Sequence, residues 1–197
     1  WMSINKDEAG TPQRIGMIAI DVMTGLYAYQ AVASAMLRRF RFGKGRYIDC
    51  SLMQSAAAFQ AAKIMEHRLE GGTPMVLYMP IGTMKTVDGF INITAMRDRH
   101  YVSLCEVLGL EELIDDPRFD NRDKRVERAD ELMPIIRAEF TKKTTAEWAE
   151  LLTEAGVMNA PVANYDDFMG DEHVQATNSF VLNEQPGVGE VPLINIP

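Results

Sequence analysis

The chain has 197 residues, 47% of them hydrophobic and 24% charged, which is ordinary globular composition with room for one domain or one and a half. Its formal net charge of −8 argues against non-specific binding to nucleic acid, because phosphate backbones are bound by clustered Lys and Arg. The sequence contains no apolar run of the ~18–20 residues that cross a bilayer. It also has no leader pattern of charged and then apolar residues. We therefore expect neither nucleic acid nor a membrane among its partners.

The cysteines and histidines predict no metal centre. Cys50 and Cys105 each lie in an apolar pattern and outside any CxxC or Cys/His spacing, so we expect both to be buried, reduced thiols of a cytoplasmic protein. His67, His100 and His173 are far apart in the sequence and lack the spacing of zinc ligands.

The first predicted element is a long helix over residues 18–41, which Gly43 and Gly45 end. Asp21 lies near its start between two apolar residues. It either caps the helix or lines a cleft, and we expect it to cap the helix. The helix carries many small residues, which let another backbone approach closely: Gly25, Ala28, Ala31, Ala33, Ser34 and Ala35.

A basic cluster follows at the end of this helix. It consists of Arg38, Arg39, Arg41, Lys44 and Arg46. One interpretation is a solvated helix end, where cations complement the helix dipole. The other is an anion site for a phosphorylated ligand, and the sequence leaves both open.

Residues 46–52 alternate well enough to predict a strand, and an alanine-rich helix is predicted over 53–69. Gly71 and Gly72 follow this helix. They either end it or form a loop whose bare backbone amides approach a ligand.

The next unit is predicted to be a hairpin of strands 83–87 and 90–95, joined by the Asp-Gly pair at 88–89. Helical spacing returns over residues 98–108. A heavily charged helix is then predicted over residues 122–142, with an apolar face on one side.

A capping box of Thr144 and Glu147 predicts the start of a short helix. A strand over 157–164 and a helix over 165–176 follow. From Phe180 onward the pattern is strand, glycine-containing turn, strand.

This order of elements predicts an α/β fold. We expect residues 1–70 to belong to a large domain, residues 71–160 to form a small α+β domain, and residues 161–197 to return to the large domain. Composition and spacing alone predict no complete active site.

Several segments, in this order, resemble the class III CoA-transferases, the group that includes formyl-CoA transferase and carnitine CoA-transferase. The segments are GMIAIDVMTGLYAYQAVASAML, GKGRYIDCSLMQS, KTVDGFINITA, DRHYVSLCEVLGL, DDPRF, TTAEWAELLTEAGV and APV.

The resemblance implies a Rossmann-like large domain, a smaller α+β domain, and a homodimer of two chains threaded through one another as interlocked rings. It also implies a cytoplasmic enzyme that moves CoA from an acyl-CoA donor to a carboxylic acid. A catalytic aspartate forms an acyl anhydride and then an aspartyl-CoA thioester. No cofactor is expected to be bound permanently, since the coenzyme A thioester is a substrate.

The resemblance places the catalytic aspartate upstream of the segment that matches residues 1–16, so no catalytic residue is expected in this chain. Asp21 matches a different family aspartate. The residues expected to contact substrate or CoA are Asp21, Gly71, Gly72 and Tyr78. We expect the chain to correspond to the middle and later parts of such an enzyme and to be inactive alone.

Two alternatives remain open. The related α-methylacyl-CoA racemases share the fold and move a proton at the carbon next to the thioester, so an acyl-CoA racemase or isomerase is one of them. The other is a non-catalytic remnant that acts as a dimerising or binding piece.

Overall fold

The structure is a computed structural model that describes residues 5–6, 10–71 and 76–195. The chain divides into two units, residues 1–75 and residues 76–197. Among the described residues, no helix has both the length and the apolar character needed to cross a membrane.

The first unit is built around a long helix, α1 (Ala19–Phe42), followed by α2 (Leu52–Phe59) and α3 (Ala61–Leu69). The helix predicted over 18–41 is confirmed to within one residue at each end. It ends at Gly43, whose φ of +67° is the left-handed conformation that glycine adopts most easily, and whose N–H donates to the carbonyl of Arg39. No residue of α1 is buried.

The strand predicted over residues 46–52 is wrong. Residues 44–51 have no regular secondary structure, and α2 already begins at Leu52, where the Ser51 hydroxyl accepts a hydrogen bond from the N–H of Gln54 at 3.1 Å. A strand needs a neighbour to share its backbone hydrogen bonds, and the described part of this unit contains no strand that pairs with it.

The helix predicted over 53–69 is two helices, α2 and α3. They meet at Gln60, whose φ of −97° and ψ of 12° lie outside helical geometry.

The second unit contains an antiparallel sheet in the order β1 (Ile81–Lys85), β2 (Phe90–Thr94), β3 (Met158–Pro161). The predicted hairpin is confirmed, since β1 and β2 pair from Ile81 opposite Thr94 to Lys85 opposite Phe90. Its first strand lies two residues earlier than the predicted 83–87, because the chain turns over residues 86–89, where the N–H of Thr86 donates to the carbonyl of Gly89. The predicted strand over 157–164 is confirmed in its first half, as β3 pairs with β2.

Four helices accompany this sheet: α4 (Asp98–Leu108), α5 (Arg122–Glu127), α6 (Ala129–Phe140) and α7 (Thr145–Glu154), with a short 3₁₀ turn at Glu111–Leu113. The helices α6 and α7 contact the strands, α4 packs against both of these helices, and α5 contacts α6. The single helix predicted over 122–142 is thus two helices, which separate at Arg128 (φ −113°, ψ 33°).

The buried hydrophobic core among the described residues lies wholly in this part of the chain. It consists of Met84, Ile91, Ile93, Ala95, Tyr101, Leu104, Cys105, Leu108, Leu110, Leu113, Phe119, Leu132, Met133, Ile136, Phe140, Trp148, Leu152 and Val157. Trp148 also donates its indole N–H to the carbonyl of Phe140 at 2.9 Å, so the largest of these side chains is both packed and hydrogen-bonded.

The predicted capping box is confirmed at the start of α7. The Thr144 hydroxyl accepts from the N–H of Glu147 at 3.3 Å, and the Glu147 carboxylate accepts from the N–H of Thr144 at 2.8 Å. The hairpin turn contacts the same helix start, because the Asp88 carboxylate accepts from the N–H and the hydroxyl of Thr145, each at 2.8 Å.

The chain then forms α8 (Tyr165–Gly170), α9 (Glu172–Ala176), and the hairpin of β4 (Phe180–Gln185) and β5 (Gly189–Ile194). The terminal strand–turn–strand pattern is confirmed. The helix predicted over 165–176 breaks at Asp171, which is extended (ψ 128°) and caps α9 by accepting from the N–H of Val174 at 2.9 Å. That residues 161–197 return to a large domain stays a prediction.

Candidate functional site

Asp21 lies in the first turn of α1 and its side chain is exposed. The helix cap is Ile18, and no side chain caps α1, so the capping role for Asp21 is wrong. A carboxylate in the first turn still complements the positive end of the helix dipole.

Asp21 borders a small cavity of about 260 Å³. The cavity is lined by Arg14, Ile15, Met17, Ile18, Ala19, Ile20 and Asp21. Its lining therefore offers one carboxylate and one guanidinium, which can orient a polar group. It holds no nucleophile paired with a base, and its volume is below the ~300–1,000 Å³ of a usual small-molecule site.

Gly71 follows the last turn of α3 with a left-handed φ of +71°, and it is exposed. This conformation fits a helix stop. The same exposed amide also keeps the ligand-loop interpretation open. Gly72 lies outside the described residues, and Tyr78 is half-buried three residues before β1.

The predicted binding residues do not share a described cavity. The cavity beside Asp21 includes neither Gly71 nor Tyr78. Asp21 and Gly71 belong to the first unit and Tyr78 to the second. Their role in binding CoA or substrate therefore stays a prediction.

The basic cluster lies beside a cavity of about 340 Å³ in the first unit. Arg38 and Arg46 line it together with Tyr47 and Asp49, against small residues of α1. Both arginines are exposed, and neither has an ion-pair partner within the part of the chain that the structure describes. The solvated helix end and the anion site both remain open.

The cysteine prediction is half right. Cys105 is fully buried, and burial raises the pKa of its thiol to about 11, so the thiol is inert at neutral pH. Cys50 is exposed, which makes its predicted burial wrong, because the strand that was expected to bury it does not form. Over the described residues, no cluster of His, Cys, Asp and Glu has the geometry of a metal site.

Sequence reasoning missed a buried arginine in the second unit. Arg125 is 2% exposed, donates to the carbonyl of Phe119 at 2.9 Å, and pairs with Asp98. Its guanidinium lies 4.3 Å from the ring centroid of Tyr101. The sequence does not predict this burial, because Arg125 lies in a heavily charged segment that is typical of an exposed helix. Since its partners are core and helix-start groups, it acts as a structural anchor.

A second missed feature is an apolar cavity of about 910 Å³ between α8 and the β4–β5 hairpin. Phe168 and Phe180 contact each other at its wall, with ring centroids 6.4 Å apart. The lining includes no carboxylate, histidine or cysteine, and Tyr165 is its one titratable side chain, so this cavity offers mainly apolar contact.

The chain is similar in sequence to known proteins. CoA-transferase family III matches residues 1–197. A succinyl-CoA:glutarate CoA-transferase of Mus musculus is 33% identical over 196 residues, which are 96% of this chain and 45% of that protein. An acetyl-CoA:oxalate CoA-transferase of Acetobacter aceti is 28% identical over 179 residues, covering 87% of this chain and 46% of that protein.

The fold is also similar to a solved structure. The crystal structure of a CaiB/BaiF family protein from Brucella suis matches the whole chain with a TM-score of 0.86 and 26% identity, and the match covers 52% of that protein's chain. The chain spans about half the length of the curated relatives it matches. These matches confirm the family predicted from the sequence segments and the mixed α/β fold. The chain belongs to CoA-transferase family III, a family of enzymes.

Proposed function

We propose that this chain is part of an enzyme that moves CoA from an acyl-CoA donor to a carboxylic acid. The observation that carries the proposal is the family match over residues 1–197. The relatives named above, both CoA-transferases, support it. Because the chain spans about half of those relatives, the activity is proposed for the complete enzyme.

The proposed reaction uses an enzyme aspartate as nucleophile. The carboxylate attacks the thioester carbonyl, the C–S bond breaks, and CoA leaves as a thiolate while the acyl group forms an anhydride with the aspartate. The thiolate then attacks the aspartyl carbonyl and expels the donor acid, which leaves an aspartyl-CoA thioester. The acceptor carboxylate takes up CoA through the same two steps in reverse. Covalent catalysis of this kind divides one difficult acyl exchange into easier ones.

The nucleophilic aspartate is proposed to lie outside residues 1–197, as the resemblance implies. The exposure of Asp21 and the small cavity beside it support a non-nucleophilic role for that residue. In this chain, Asp21, Gly71, Gly72 and Tyr78 are proposed to contact the CoA thioester. Backbone amides of the glycines would stabilise the oxyanions that develop at the attacked carbonyls.

The proposed enzyme is a cytoplasmic homodimer with interlocked chains, and each chain has a Rossmann-like large domain. Residues 71–160 are the proposed small domain. This small domain is supported by the β1–β2–β3 sheet and by the buried hydrophobic core formed by residues 84–157.

The acceptor is proposed to be a dicarboxylic acid, because the names of the related enzymes include glutarate and oxalate. Such an acceptor offers one carboxylate to take up CoA and a second one for recognition by a cation.

The test is a transfer assay on the complete translated gene product. We expect CoA to move from succinyl-CoA to glutarate or to another acid of a dicarboxylate panel. Hydroxylamine should inactivate the enzyme only after acyl-CoA has been added, since it traps activated aspartyl groups. The 197-residue chain alone should be inactive. Absence of transfer with every donor and acceptor pair would refute the proposal.

An acyl-CoA racemase or isomerase would give a different result in the same experiment. It would exchange the proton next to the thioester with deuterated water and need no carboxylate acceptor. A non-catalytic remnant would show no CoA transfer, no proton exchange and no affinity for CoA.

A further inference from the structure

One cavity of the first unit combines a cation, a carboxylate and an otherwise apolar lining. Arg14 precedes α1, Asp21 lies in its first turn, and both border the cavity of about 260 Å³. The other lining residues are apolar: Ile15, Met17, Ile18, Ala19 and Ile20. A lining of this kind suits a ligand that has a short hydrocarbon chain and a charged end.

Among the described residues, the guanidinium of Arg14 has no partner. Arg14 is exposed, and within the part of the chain that the structure describes it makes neither an ion pair nor a side-chain hydrogen bond, even with Asp21 in the same lining. A guanidinium matches the geometry of a carboxylate and binds it through two parallel hydrogen bonds. We therefore expect its partner to be a carboxylate of the ligand.

The size and charge of the surroundings narrow the choice of ligand. A cavity of about 260 Å³ is smaller than the sites that take drug-sized ligands, so it has room for a short acid such as glutarate and not for a whole CoA thioester. The chain carries a net charge of −8. A doubly negative acid therefore needs a local cation to offset repulsion by the protein.

Arg14 is better placed for this role than the basic cluster. Arg38 and Arg46 border the cavity of about 340 Å³, whose lining does not include Asp21. Asp21 is proposed to contact the CoA thioester, and the acceptor must reach that thioester for transfer to occur. A cation in the same lining as Asp21 can bind one end of the acceptor while the other end reacts.

We infer that Arg14 makes the complete enzyme selective for dicarboxylic acids, because its guanidinium binds the acceptor carboxylate that does not take up CoA. The apolar residues of the cavity contact the methylene chain between the two carboxylates. Arg14 is thus a specificity-determining residue and takes no part in making or breaking bonds. The inference rests on the proposed function, to which it adds the residue that recognises the acceptor.

Competition between two acceptors tests the inference on the complete gene product. Glutarate and pentanoate differ only in the second carboxylate, which is a methyl group in pentanoate. With both acids in one reaction, the ratio of glutaryl-CoA to pentanoyl-CoA gives the ratio of the two kcat/KM values and does not depend on the donor. Arg14→Gln removes the cation, so this ratio should fall about 10- to 100-fold, the range for hydrogen bonds to charged groups. Arg122→Gln, at an exposed side chain of the second unit, should leave it unchanged.

Two further variants separate recognition from folding. Arg14→Lys keeps the charge but loses the second parallel hydrogen bond, so its product ratio should lie between those of the unmodified enzyme and Arg14→Gln. Arg14→Glu reverses the charge. It should favour δ-aminovalerate over glutarate, since this acid carries an aminomethyl group in place of the second carboxylate. Misfolding does not reverse a preference, because it lowers transfer to all acids alike.

Two results would overturn the inference and leave the proposed CoA transfer intact. One is an unchanged product ratio in Arg14→Gln, and the other is an unmodified enzyme that prefers pentanoate to glutarate. Equilibrium dialysis with radioactive glutarate gives a readout that does not need transfer. In a product without transfer activity, glutarate binding that Arg14→Gln abolishes and Arg122→Gln keeps would retain the inference and refute the proposed function. Absence of glutarate binding as well would refute both.

Discussion

At the scale of single residues, Asp88 joins the hairpin turn to the start of α7. Hydrogen bonds from the N–H and hydroxyl of Thr145 hold the pKa of Asp88 below its ordinary value of 3.8. A lowered folded-state pKa stabilises the fold above pH 3.8, and this contribution is lost as the pH falls through the folded-state value. We expect Asp88→Asn to lower the urea midpoint of unfolding at pH 7. The difference in midpoint between the variant and the parent protein should shrink as the pH is lowered. Asp123→Asn, at a carboxylate that is 79% exposed, is the matched charge control. A gap that does not change with pH would contradict this assignment.

Arg125 is a second residue whose contribution to stability depends on its buried surroundings. Arg125→Met removes the donor to the buried carbonyl of Phe119 and the partner of Asp98. We expect it to lower the free energy of unfolding by about 2–4 kcal/mol, measured by urea denaturation. Arg122→Met, at a side chain that is 58% exposed, should change it by less than about 0.5 kcal/mol. Equal changes in the free energy of unfolding for the two substitutions would show that the buried contacts of Arg125 contribute nothing to stability.

At the scale of elements, α4 ends at Gly109, whose φ of +70° lies in the left-handed region. A Cβ added there would meet nothing within 4 Å, so only the backbone conformation opposes an alanine. We expect Gly109→Ala to lower the free energy of unfolding by about 1–2 kcal/mol in urea denaturation. Gly170→Ala is the control, because Gly170 also has open space around it but lacks a positive φ. If both variants unfolded at the same urea concentration, the left-handed helix end would be unimportant for stability.

At the scale of the whole molecule, the described core belongs to the second unit alone, between Met84 and Val157. The basic cluster of the first unit is exposed, and Lys44 and Arg46 lie outside any helix. Limited trypsin digestion of the 197-residue chain should therefore cut early after these two residues and after Lys6 and Arg14, which are also exposed outside the helices. A fragment containing residues 84–157 should persist longest, because cleavage inside it requires local unfolding. Mass spectrometry identifies the products. Equally fast cleavage within residues 98–157 would contradict the uneven distribution of stability.

The sequence by itself determined the elements whose causes lie within a few residues. The Asp88-Gly89 pair predicted the β1–β2 hairpin, Gly43 the end of α1, and Thr144 with Glu147 the start of α7, because turns and caps act locally. The ordered segments of the chain also predicted the family. Among the candidate binding residues, Asp21 borders a described cavity of the first unit whose lining does not include Gly71.

Only the tertiary structure decided which residues are covered. It placed Arg125 inside the core, left Cys50 exposed, and left residues 46–52 without the predicted strand. Burial and strand pairing depend on neighbours that are distant in sequence, so the local pattern around these residues cannot predict them. The same reason applies to α1, whose large apolar side chains are encoded locally but are left exposed in the structure.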